Sequence, residues 1–192
     1  MSIRQLNLVT SFSMPEDKNS KTANFPTSST TGFELQFSIR KYDTGEPITF
    51  KVDGERFRKT DERDVKSNVH LRTYKFRSEV IYKITVTTKP ATEFHVLHIS
   101  GSDLELRPES IGGGIYSTEW NTTGSDVTLN GKREYITVCL QGPGRILQRK
   151  IQAKFYQNDN SHADYGDKLE ALIWKCAVDN EGNIMVVDEI VK

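Results

Sequence analysis

The run Phe33-Glu34-Leu35-Gln36-Phe37-Ser38-Ile39-Arg40 alternates strictly between apolar and polar positions. Successive side chains of a strand point to opposite faces. The spacing therefore predicts a half-buried strand with Phe33, Leu35, Phe37 and Ile39 inward and the other four in water. The pattern recurs. Val80, Tyr82, Ile84 and Val86 form an inward row that Lys89-Pro90 closes, because proline has no donor for a ladder. Val69, Leu71 and Thr73 alternate with His70, Arg72 and Tyr74. Leu147, Ile151, Ala153 and Phe155 alternate with Gln148, Lys150, Gln152 and Lys154, and Arg149 interrupts the apolar row, which places it at a sheet rim. In 93–100 two phases fit: Phe94 and Val96 inward, or His95 and Leu97 inward. Residues 115–120, 135–140, 169–178 and 184–191 complete the series.

Turn residues punctuate these runs. Phe50-Lys51-Val52-Asp53-Gly54-Glu55-Arg56-Phe57 reads as a strand, an Asp-Gly reversal and a returning strand, with Phe50 and Phe57 packing the core. Asn130-Gly131 is a second hairpin signal. The expected fold is all-β: a single antiparallel β-sandwich or filled barrel of roughly ten strands, with no amphipathic helix of any length.

Residues 1–32 do not share the pattern. A weakly apolar lead (Ile3, Leu6, Leu8, Val9, Phe12) precedes a stretch rich in Ser, Thr, Asn, Lys and Pro. That stretch offers too little apolar surface to offset the entropy of ordering it. Residues 1–32 are expected to be a flexible N-terminal extension and residues 33–192 the β-domain. The lead is either a mobile terminus or a segment that docks as an edge strand or recognition peptide.

Charge narrows the partners. In 192 residues, Lys+Arg and Asp+Glu both number 26, and a nucleic-acid binder would want a basic excess. No continuous apolar segment suggests a secretory leader or a membrane span. The two cysteines, Cys139 and Cys176, sit in apolar strand-like runs at a spacing that fits no zinc or redox motif. These features predict a cytoplasmic protein with reduced thiols, at most peripheral at the inner face of the plasma membrane, and a monomer.

The search for chemistry returns little. His95 and His98, three apart on a strand, would face opposite ways and make a poor metal pair. Gly112-Gly113-Gly114 has no following Gly-Lys-Ser/Thr and no helix to receive a phosphate, so it reads as a hairpin loop. No Gly-x-Ser-x-Gly elbow is present, and thiols inside apolar strands are usually inert. No catalytic residue, metal or cofactor is expected, and a non-enzymatic interaction module is the reading.

Four segments in order resemble the cannabinoid-receptor-interacting protein family. They are Phe50-Lys51-Val52-Asp53-Gly54-Glu55-Arg56-Phe57, then Tyr82-Lys83-Ile84-Thr85-Val86-Thr87-Thr88-Lys89-Pro90, then Leu104-Glu105-Leu106-Arg107, then Ile151-Gln152-Ala153-Lys154-Phe155-Tyr156 with the run to Trp174-Lys175-Cys176. The likeness spans residues 33–178 and suggests a divergent, invertebrate-like member. It implies a sandwich or filled barrel similar to the immunoglobulin-like domain of Rho GDP-dissociation inhibitors. It also implies a cytosolic, non-enzymatic regulator that binds the intracellular C-terminal tail of a cannabinoid-type G-protein-coupled receptor. The N-terminal extension, a 108–114 loop without the usual basic residues, and the ending Ile190-Val191-Lys192 depart from the family's pattern. By fold analogy, the alternative is a Rho-inhibitor-like regulator or carrier of small GTPases or prenylated cargo. Lys83, Lys150 and Lys154, on wet strand faces, are the candidate docking residues for an acidic or phosphorylated tail.

Overall fold

A computed structural model describes residues 32–53 and 72–192. The alternating runs form strands, and among the described residues the single helical element is a 3₁₀ turn at Ser161–Ala163. One side of the molecule runs in the order β7 (Arg107–Pro108), β8 (Ile115–Asn121), β4 (Ile81–Lys89), β1 (Gly32–Lys41), β12 (Leu172–Val178) and β13 (Asn183–Val191). The other runs β6 (Ser102–Glu105), β5 (Val96–Ile99), β9 (Glu134–Gly142), β10 (Arg145–Tyr156), β3 (Arg72–Arg77), β2 (Thr49–Val52) and β11 (Asp167–Lys168). The two sides join where the first residues of β10 pair with β13. Opposite that joint the chain itself crosses, from β6 through Leu106 into β7. The result is a nearly closed, barrel-shaped sheet.

The interior is filled. Leu35, Phe37 and Ile39 of β1 are fully buried, as the alternation requires. Phe37 stacks on Trp174 at 5.4 Å between ring centroids. Phe76 meets Trp120, Phe155 and Tyr82 at 5.2, 5.4 and 5.7 Å. Aromatic pairs at these separations each contribute about 0.5–1.5 kcal/mol beyond their buried area.

The sheet is mixed where an antiparallel one was expected. β10 runs parallel to both β3 and β13, and the remaining pairings are antiparallel. Alternation fixes which face is buried and carries no strand direction, so the sequence could not show this. Asp53-Gly54 was expected to return the chain beside β2. However, Phe50 already has Tyr74 on one edge and Asp167 on the other. Both edges of the strand are occupied at that position. Gly54, Phe57, His70 and the rest of that expected hairpin lie outside the described residues.

Asn130-Gly131 does make a turn, with Lys132 N–H donating to Leu129 O at 3.0 Å. The strands it separates, β8 and β9, are not paired to each other. The turn therefore lies on a crossover between the two sides rather than in a hairpin. In β3, Tyr74 and Phe76 are buried in the core cluster and Thr73 bonds polar groups outside it, the reverse of the predicted phase. The two aromatics bury more apolar area than a threonine, and β3 runs on to Arg77 to place them. Neither predicted phase of 93–100 holds throughout: Phe94, Leu97 and Ile99 are buried, and His95 is exposed. β5 begins only at Val96, so Phe94 is free of its alternation.

One glycine decides where the two sides meet. Gly182, in the β12–β13 turn, has φ +87°, a region costly for other L-residues. A Cβ there would lie 1.9 Å from the Gly144 carbonyl oxygen. Its own carbonyl accepts from Ile146 N–H at 3.2 Å. The β12–β13 turn thus seats directly on the β9–β10 turn.

Candidate functional site

β10 is long enough to serve three neighbours, and this creates two polar clusters. One edge pairs with β9 from Arg145 to Ala153. The other pairs with β13 at Ile146 and Leu147, then with β3 from Gln152 to Tyr156. Between those points the second edge has no strand among the described residues. A fork therefore opens where β13 diverges from β10 and β3.

Arg149 sits at the fork, on the same side of β10 as Leu147 and Ile151. It was expected at a sheet rim; it stands inside β10, paired with Val138 on one edge, where the other edge lies between the β13 and β3 pairings. Its Nη2 donates to Glu189 Oε2 at 3.3 Å, and Arg72 Nη1 donates to Glu189 Oε1 at 3.4 Å. Trp174 Nε1–H donates to the same carboxylate at 2.9 Å. Glu189 is thus the shared acceptor of three donors, with its side chain only 10% exposed. Burial, and then the Glu189 charge, push the Tyr74 phenol far above its ordinary range. Two arginines face one acid here. The Nε of Arg149 is covered and has no hydrogen-bond partner. A covered donor without an acceptor costs about 1–3 kcal/mol.

The second cluster covers the outer face of β2, β3 and β10. Asp53 is buried and accepts from Thr73 Oγ1, from Gln152 Nε2 and from Arg133 Nη2 at 3.5 Å. Thr73 in turn accepts from Arg133 Nε at 3.0 Å and Gln152 Nε2 at 2.5 Å. This network explains why Gln152, expected on a wet face, is 4% exposed. Beside it, Lys75 and Lys154 stand directly opposite each other on parallel strands. Their ammonium groups lie 5.7 and 5.1 Å from the centre of the Tyr156 ring. Lys75 also donates to the carbonyls of His162, at 2.9 Å, and Tyr165. Burial, then repulsion from Lys51, Arg133 and Lys154, push the Lys75 ammonium below the usual lysine range. Burial and Arg133 do the same to Lys154.

Of the three lysines singled out in the sequence, Lys150 and Lys154 share the outer face of β10. Lys150 is exposed and Lys154 half-buried. Lys83 is elsewhere, on β4 between β1 and β8, paired with Glu109 at 3.1 Å. The residues missed were Lys51, Lys75, Arg133, Arg72 and Glu189. Two of them left a trace, because Lys75 and Glu189 break otherwise apolar or β-forming runs as Arg149 does.

Among the described residues, the thiols and histidines assemble no reactive centre. Both cysteines are free. Cys139 lies opposite His98, whose Nδ1 is 2.5 Å from Asp103 Oδ1. Yet His98 Nε2 is engaged with Gln141 at 3.5 Å, and burial pushes the Cys139 thiol up. The raised pKa and the missing base leave the thiol protonated. Among the described residues, no group of His, Cys, Asp and Glu is arranged to hold a metal ion. No helix of the described residues is long and apolar enough to cross a membrane.

The fold is a nearly closed, filled all-β barrel whose polar clusters lie on its surface and at a strand fork. A family model for CB1 cannabinoid receptor-interacting protein 1 matches residues 29–191. The chain belongs to that family. Proteins named CB1 cannabinoid receptor-interacting protein 1 from human, cattle and mouse are each 25% identical to it over 162 residues, covering 81% of this chain and 92% of theirs.

Proposed function

We propose that the protein is a cytoplasmic, non-enzymatic interaction protein that binds the intracellular C-terminal tail of a cannabinoid-type G-protein-coupled receptor. The observation that carries this reading beyond the family's name is the outer face of β2, β3 and β10. Lys75 and Lys154 are directly opposed; Arg133 lies near enough to repel both, and Lys51 to repel Lys75. Like charges at directly opposed strand positions disfavour folding. Lys75 itself is buried against the His162 and Tyr165 carbonyls, so an acidic or phosphorylated tail would lie across Lys154 and Lys150 and offset the repulsion from there. Lys150, two residues along the same face, extends the surface, and Lys83 would need a second, separate contact.

Binding of the receptor's tail peptide, followed by fluorescence anisotropy, tests this. Lys150→Glu with Lys154→Glu should weaken it by at least about tenfold and flatten its salt dependence. Unchanged affinity would remove this face from the mechanism. Deleting residues 1–32 should leave binding intact if the β-domain alone holds the tail. Carriage of prenylated cargo, the other reading, needs room between the sheets. The Trp120, Phe76, Phe155 and Tyr82 cluster occupies that space, which favours tail binding.

A further inference from the structure

The fork between β10 and β13 has three properties that the outer-face reading does not use. The first is an open strand edge. β13 pairs with β12 from Ile184 to Val191 on one side and with β10 only at Asn183 and Ile184 on the other. From Met185 onward that second edge has no strand beside it among the described residues. An unpaired edge presents a row of N–H and C=O groups, a template for another extended segment.

The second is charge. Arg72 and Arg149 share the single carboxylate of Glu189. Among the described residues, the next acid along β13, Asp188, is paired with Lys175 at 2.8 Å. Tyr74 is held neutral by burial, and burial pushes the Cys176 thiol up to about 12, so it too stays protonated. Among the described residues, the fork therefore sets two guanidinium charges against one carboxylate. The third is an unused donor: Arg149 Nε–H has no acceptor, although the side chain as a whole is 36% exposed. An incoming acceptor reaches that donor only once the partly exposed side chain turns it outward.

We propose that this fork is a binding site for the C-terminal carboxylate of an extended peptide. The peptide backbone pairs with the free edge of β13. Its terminal carboxylate accepts from Arg149 Nε–H and from the Arg72 guanidinium. Arginine suits this role because its planar fork of donors matches a carboxylate, and the partial burial strengthens the contact. An internal segment could pair with the edge but has no terminal carboxylate to place against the arginines, and the acid-against-amide comparison separates an acidic side chain from a terminus.

The full-length chain, immobilised, is offered a synthetic pool of short random-sequence peptides with free carboxyl termini, and in parallel the same pool amidated. Free-acid peptides should be retained, and amidating the retained sequences should weaken binding by at least about tenfold. In nitrogen-15 spectra, the Trp174 indole and Arg149 Nε–H signals should shift on adding them. Arg149→Gln should weaken binding as amidation does, and Arg149→Lys should restore part of it. If Arg149→Gln does not fold, the acid-against-amide comparison on the native chain still decides. Retention of no peptide, equal binding of acid and amide, or a bound state that leaves both signals unmoved would each overturn the proposal. The receptor tail separates this site from the outer face. A tail that binds equally as acid and amide but is lost with Lys150→Glu plus Lys154→Glu supports the outer face and refutes the fork as the tail's seat. The reverse result supports the fork and refutes the outer face.

Discussion

Glu189 carries a disproportionate share of the polar order at the fork. It accepts from Arg72, Arg149 and Trp174 Nε1. Replacing it with alanine leaves two partly buried guanidinium groups facing each other and an indole N–H without an acceptor. Glu189→Ala should destabilise the protein by about 2–3 kcal/mol, read from the midpoint of urea unfolding; the arginines' partial exposure keeps the loss below that of a fully buried pair. A change within about 0.5 kcal/mol would mean that the arginines rehydrate freely. His98 gives a prediction of different sign. Its hydrogen bond to Asp103, the largest cause, raises its pKa, and Asp103→Asn should bring it back toward that of a free histidine, near 6.5. Because the folded value is the raised one, this contact's stabilisation is fully present below about pH 6.5 and is lost as pH rises through the folded value. Proton NMR of the imidazole against pH reads the shift directly.

At the scale of strands, the sequence was informative about faces and silent about neighbours. The inward rows of β1 and β4 and the β10 row from Leu147 to Phe155 are buried as alternation predicts. The parallel pairings of β10 were not legible, nor was the crossover at Asn130-Gly131, because both depend on residues far apart in the chain. The outer-face cluster was half legible. Lys150 and Lys154 stand out on a wet face, but Lys51 and Lys75 become their neighbours only through the register of β2, β3 and β10. Arg149 announced itself by interrupting an apolar row, while its partner Glu189 is on a different strand forty residues later. The β12–β13 turn makes a further prediction. Gly182→Val combines a positive φ with a clash against the Gly144 carbonyl, and should cost at least about 2 kcal/mol. Gly131→Val, also at positive φ but with open space around it, should cost less. Equal losses in thermal unfolding would show that backbone strain alone, and not the seating of one turn on the other, accounts for both.

Across the whole molecule, one aromatic cluster ties the two sides together. Trp120 of β8 packs on Phe76 of β3 and Phe155 of β10, while Trp174 of β12 stacks on Phe37 of β1. Variants keeping only Trp120 or only Trp174 should report coincident unfolding curves if the barrel melts as one unit. A Trp174 transition at lower denaturant would show that the β12–β13 side comes away first. The division of β10 between two partners also has a mechanical meaning. Pulled from the C-terminus, β13 is loaded at Lys192, whose N–H and C=O are tied to Ala171 and Glu170. Its remaining hold is the ladder to β12, which a force applied at that end opens one pair after another, like a zipper. Among the described residues, only the Arg72 and Arg149 contacts to Glu189 share the load on its other edge before the short parallel joint at Ile184. The barrel should therefore yield to force in steps that begin at this strand, well before the β1–β4 ladder bears any strain.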